Sequence, residues 1–181
     1  MNFIESQNDM RQAYLDGSTG VFSSGIVWCL AGVIGVYYSP VSSMLTLFLG
    51  GMFIFPLSIL FSKLLGSTGK HSQDNVLNKL AFENLGILFG GLFIAFVSSQ
   101  YNSALFYPIM LIIIGARYLT FQTIYGLKIY WVLGVILMAS GFCIAAISLP
   151  FMVGAFVGGI IEITFAIIIH QLSKQVVSTT E

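Results

Sequence analysis

The sequence predicts an all-α polytopic membrane protein with six transmembrane helices arranged as three hairpins. Three observations carry this expectation. Hydrophobic residues make up 57% of the 181 and charged residues only 8%, about a third of the ~25% usual in soluble domains. Mean hydropathy is +0.93. Apolar stretches close to the ~20 residues that cross a bilayer as a helix recur six times between polar breaks. Hydrocarbon offers backbone groups no partner outside the segment, so helices are the expected spanning elements.

The chain opens on a polar segment, residues 1–20, carrying Glu5, Asp9, Arg11 and Asp16. A signal peptide starts basic and turns apolar at once, so no cleavage is expected. Residues 21–171 hold the six-helix domain and 172–181 a polar tail. The predicted spans are 21–38, 43–65, 80–98, 104–125, 129–148 and 151–170. Pro40 and Pro150 mark two of the tight turns between them.

Basic residues set the orientation. Arg11, Lys63, Lys70, Lys79, Lys128 and Lys174 all fall on one side of a six-span arrangement. The opposite connections, around Ser39-Pro40, 99–103 and Leu149-Pro150, contain none. The positive-inside rule then places both termini in the cytoplasm of a multi-pass protein.

Net charge is zero, which excludes a basic field for nucleic acid. Cys29 and Cys143 lie inside apolar runs without metal-ligand or redox spacing and read as small hydrophobes. Neither a metal nor a cofactor is expected. Gly-Ser-Thr-Gly occurs at 17–20 and again at 66–69 before Lys70, but a phosphate loop needs another spacing between a strand and a helix. Both copies read as flexible helix ends. No hydrolase, metalloprotease or His/Cys catalytic motif is present, so the reading leans away from an enzyme, with an intramembrane enzyme acting on lipid ranked third. His71 and His170 fall at or beyond the membrane boundary and are expected at solvent or headgroups.

Gly-Gly pairs at 50–51, 90–91 and 158–159 read as close-packing positions, with remnants of duplication the competing explanation. Gly20, Ser24, Trp28, Ala31 and Gly35 form a small-residue stripe on the first helix, again a packing face before a ligand groove. Pro56 removes a backbone bond inside the second helix and frees the Met52 carbonyl.

Glu83, Arg117 and Glu162 are ionisable residues within spans. The 1.5 Å rise puts Arg117 and Pro56 about 20 Å below the outer membrane edge, Glu162 about 18 Å and Glu83 about 24 Å. All share the inner half. Glu162 lies on one face with Ala155, Gly158, Gly159 and Ala166, and Glu83 on one with Gly86 and Gly90. Tyr118, Gln122 and Tyr125 align with Gly115, while Arg117 stands about a quarter-turn aside. The expected cluster is Arg117, Glu162, Tyr118 and Gln122, extending to Glu83, because an arginine at depth needs a compensating carboxylate. Alternatives stay open: Glu83 pairing with Lys79, or Arg117 snorkelling to headgroups.

Three blocks resemble a family of small bacterial membrane proteins known only as a domain of unknown function. They are Gly17-Ser18-Thr19-Gly20 with Ser24-Gly25 and Trp28, then Phe55-Pro56, then Gly115-Ala116-Arg117-Tyr118 with Phe121, Tyr125-Gly126 and Tyr130-Trp131. The resemblance runs from about Arg11 to His170. It implies six helices and a bacterial inner membrane, and it implies no activity. Glu162 lies outside these blocks, so its pairing rests on geometry.

The expected function is binding or transport of a small molecule or ion through the inner-half cluster. The alternative is a structural or regulatory membrane subunit with a structural buried ion pair. Expected partners are membrane lipids, a second copy of the chain, and a small ligand of unspecified identity.

Overall fold

A computed structural model describes residues 1–178, with side chains described through residue 173. Among the described residues all regular structure is helical. The elements are α1 (Phe3–Tyr14), α2 (Ser18–Tyr37), α3 (Pro40–Leu64), α4 (Leu77–Tyr101), α5 (Phe106–Tyr125), α6 (Ile129–Ala146) and α7 (Phe151–Ser178). Six helices are long and apolar enough to cross a membrane, with α1 running into the first of them through a kink at residues 15–17. The helix of α7 continues past residue 171, where the polar tail was expected to begin; residues 179–181 lie outside the described residues.

Local chemistry explains the helix ends. Asn2 and Glu5 close a capping box on α1: the Glu5 amide donates to Asn2 Oδ1 at 2.9 Å, and the Asn2 amide donates to Glu5 Oε2 at 2.8 Å. On α3, Ser39 Oγ accepts from the Ser42 amide at 3.1 Å, and Pro40 takes the first helical position, where its missing N–H costs nothing. Gly126 ends α5 at φ +69°, and its amide donates to the Gln122 carbonyl at 2.7 Å.

The kink between α1 and α2 is built from three consecutive left-handed residues: Leu15 (φ 50°), Asp16 (φ 57°) and Gly17 (φ 80°). Only glycine takes that region without steric cost. Leu15 is held locally, its amide donating to the Arg11 carbonyl and its carbonyl accepting from Ser18 Oγ at 2.8 Å, and Asp16 by two side chains. Arg11 pairs with Asp16 at 2.5 Å, and the Tyr130 hydroxyl donates to the Asp16 carbonyl at 2.6 Å.

Each expected hairpin packs on itself, α2 with α3, α4 with α5 and α6 with α7. The most extensive interfaces lie elsewhere, between α2 and α7 and between α5 and α6. These four helices form the centre, with α3 flanking α2 and α4 flanking α5. Consequently α3 and α4, although consecutive in sequence, share no extensive packing interface among the described residues.

Small residues allow the central helices to approach. A Cβ on Gly115 would stand 2.6 Å from the Gly134 carbonyl, and one on Gly158 would stand 2.6 Å from the Trp28 ring. In each Gly-Gly pair at least one glycine meets a neighbouring helix: Gly50 meets Val27, Gly91 meets Ile113, and Gly158 and Gly159 both meet α2. Lipid tails are as apolar as leucine, so such close contact is what holds helices together in a bilayer.

α1 lies across one end of the bundle, tied to the 65–76 connection. Ser67 Oγ donates to the Gln12 and Ala13 carbonyls at 2.6 and 2.8 Å. Asn75 Nδ2 donates to the Ser6 carbonyl at 2.9 Å and to Asp9 Oδ2 at 2.7 Å. Gln7 Nε2 donates to the Thr123 carbonyl at 2.8 Å, satisfying one open carbonyl of the last turn of α5.

Candidate functional site

The polar residues of the α1-side half divide between two neighbouring interfaces. Residues 117 and 118 of α5 are about 100° apart around the helix axis, so they cannot face the same neighbour. Tyr118 faces α7, and its hydroxyl donates to Glu162 Oε1 at 2.7 Å. Arg117 faces α4, and its Nε donates to Asn84 Oδ1 at 3.1 Å.

Glu162 is 0% exposed, on a buried face with Ala155, Gly158, Gly159 and Ala166. Among the described residues its Oε2 has no hydrogen-bond partner within normal geometry. The Ser24 hydroxyl of α2 lies beside the same carboxylate. A polar atom enclosed without a partner is uncommon, and its cost rises with the lowness of the surrounding dielectric. The expected Arg117–Glu162 ion pair is not formed: the one ion pair among the described residues is Arg11–Asp16, outside the spans. The expectation failed because Asn84 meets the guanidinium first. Asn84 also donates from Nδ2 to Thr120 Oγ1 at 2.7 Å, and Thr120 donates to the Arg117 carbonyl at 2.7 Å. This ring of bonds holds the arginine to α4.

Glu83 is placed elsewhere. It is exposed on α4 beside exposed Gly86 and Gly90, whose added Cβ atoms would meet nothing within 4 Å. The face of α4 that packs inward instead carries Leu77, Asn84, Gly91, Ala95 and Ser99. Pro56 is likewise exposed. Gln122 is half-buried and forms no side-chain hydrogen bond among the described residues.

Tyr125 joins an aromatic column. Tyr118 and Tyr125 both stack with Tyr130, with ring centroids 6.0 and 5.5 Å away and planes within 23° of parallel. Phe121 meets all three rings at steep angles. The column runs from the buried carboxylate of α7 to the α1–α2 kink, where the Tyr130 hydroxyl closes on Asp16. Gly17 is required there, since an added Cβ would stand 2.7 Å from the Tyr125 ring.

Trp28 stands at a second buried polar contact. Its ring packs on Tyr107 at 5.6 Å, the Tyr107 hydroxyl pairs with Ser43 Oγ at 2.5 Å, and Ser43 donates to the Ala31 carbonyl at 2.6 Å. Asn84, Tyr107, Ser43 and Tyr130 were not among the expected site residues. An asparagine inside an apolar span was a usable signal, because such residues commonly bond across helices. The serine and the tyrosines carry no comparable one, since both types are frequent in spans and at their ends.

His71 bonds through Nδ1 to the Tyr14 hydroxyl at 2.8 Å, and His170 is half-buried with its Nδ1 unpartnered. No group of three or more His, Cys, Asp or Glu among the described residues is arranged to hold a metal ion.

Fold and site together define a small six-helix membrane protein with a buried polar centre in one half of the bundle. A family of unknown function, DUF7010, matches residues 3–172, and the chain belongs to that family. No curated protein and no solved structure gives a match.

Proposed function

We propose that this chain binds or carries a small molecule or ion within the bilayer, using the polar centre formed by Glu162, Tyr118 and Ser24 with Arg117 and Asn84 alongside. One observation supports this reading above others: Glu162 is wholly enclosed yet leaves Oε2 without a hydrogen bond. An acceptor held open at depth suits a proton or a cationic or hydrogen-bonding ligand, and intramembrane ionisable residues tend to mark such pathways. Gln122 and Tyr125 lie toward the α1 end of α5 and suit an approach route. The proposed setting is a bacterial inner membrane, and the asymmetry of the basic residues supports a cytoplasmic side for this half and for both termini. Six helices make a thin wall, so the working unit is proposed as a homodimer in contact with membrane lipid.

A structural reading has its own support. The Arg117–Asn84–Thr120 ring closes locally, as a device that only pins α4 to α5 would.

The two readings separate on Glu162→Gln, which keeps the side-chain shape and an acceptor for Tyr118. Purified protein in liposomes under a pH gradient, followed with an enclosed pH dye, reads proton flux. A carrier loses flux in the variant at an unchanged melting temperature. Loss of melting temperature together with any flux identifies a structural centre.

A further inference from the structure

The gap between α3 and α4 is roofed at one end by the 65–76 connection, and it leaves a cavity of about 430 Å³. It is open to the surface rather than enclosed. The cavity is divided by chemistry. Tyr14, Phe55 and Ile59 supply an apolar wall, and Lys70, His71 and Asn78 supply a polar rim.

The division follows from how the chain turns back on itself. Gly66 (φ +87°) and Gly69 (φ +64°) redirect the backbone after α3. The Gly69 amide then donates to the Ala13 carbonyl at 3.1 Å, and an added Cβ on Gly69 would stand 3.2 Å from Ile59. Polar residues of the connection are thereby laid beside apolar residues one to two turns inside α3. The His71–Tyr14 bond of 2.8 Å and the Tyr14–Phe55 ring contact of 6.4 Å hold wall and rim together.

We propose that this cavity is a binding site for an anionic phospholipid, with its phosphate at Lys70 and Asn78 and an acyl chain along Phe55 and Ile59. Charge complementarity selects the headgroup. Lys70 forms no ion pair among the described residues. Asp9 of α1 is engaged by the Ser72 amide at 2.9 Å and by Asn75. Position selects a lipid over a free anion. The cavity lies at the ends of two apolar spans, where headgroups sit, and Phe55 in its wall stays 60% exposed. The site is separate from Glu162 and does not depend on the function proposed above.

Native mass spectrometry of the detergent-purified chain, mixed with equal amounts of phosphatidylglycerol and phosphatidylcholine, tests this. The wild type retains phosphatidylglycerol preferentially. Lys70→Gln lowers that preference about fivefold, in line with the contribution of one lysine near an anionic lipid. Phe55→Ala lowers retention of both lipids, and Lys128→Gln, away from the cavity, changes neither. Lys70 is exposed and Phe55 largely so, so both variants should melt as the wild type does. Equal retention of the two lipids, an equal effect of Lys128→Gln, or release of bound lipid by excess inorganic phosphate would overturn the proposal.

Discussion

Tyr118 of α5 and Glu162 of α7 meet through a 2.7 Å hydrogen bond at the centre of the bundle, while the other carboxylate oxygen of Glu162 goes unpartnered. Removing the tyrosine hydroxyl takes the donor from Oε1 and leaves the Ser24 hydroxyl beside the carboxylate. Tyr118→Phe is therefore expected to destabilise the protein by about 1–3 kcal/mol, the cost of orphaning a buried acceptor. Thermal unfolding in detergent measures it. A double-mutant cycle with Glu162→Ala, which removes the acceptor, should show a coupling of at least ~0.5 kcal/mol, and additivity would mean the bond contributes nothing.

Arg117 answers to Asn84. The two should couple more strongly in a cycle of Arg117→Ala and Asn84→Ala than Arg117 couples with Glu162→Gln, because the guanidinium bonds only the asparagine. Arg117→Lys should not restore the wild-type melting temperature, since a lysine lacks the planar Nε–H that Asn84 accepts. A dominant Arg117–Glu162 coupling would sink this assignment.

Glycines predict opposite outcomes according to what they touch. Gly115→Ala drives a methyl against the Gly134 carbonyl and should cost about 1–3 kcal/mol through overpacking. Gly86→Ala and Gly90→Ala, which meet open space, should be neutral or gain up to about 1 kcal/mol through helix propensity. Melting the three variants side by side is the check. A loss at Gly86 or Gly90 comparable to that at Gly115 would show that α4 packs against something further.

The tether between α1 and the 65–76 connection predicts local opening. Asn75→Ala removes two bonds to α1, and hydrogen exchange of residues 65–76 should accelerate while α5 and α7 keep their protection. Acceleration spread evenly over the whole bundle would show instead that α1 is integral to global stability.

Much of the fold was legible because its signals run along the chain. Length and hydropathy located six spans, with interior boundaries within about three residues of the helices observed. Helix rise alone put Arg117 and Glu162 in the same half of the membrane. The small-residue face of Glu162 was readable too, and it is buried. The rotation of α4 was not. Asn84 and Glu83 are adjacent in sequence, and both rotations bury some glycine, Gly91 with the first or Gly86 and Gly90 with the second.

The number of membrane-length helices, where they end and how far along each one a polar residue lies can all be read along the chain. Tertiary structure decided which neighbour each residue faces: Arg117 on Asn84, Tyr118 on Glu162, and α3 apart from α4 with a cavity between them. The physical reason is the solvent. In water an apolar stripe announces the buried face of a helix. In lipid both faces are apolar, so depth survives in the sequence while rotation is left to packing and to a few hydrogen bonds between helices.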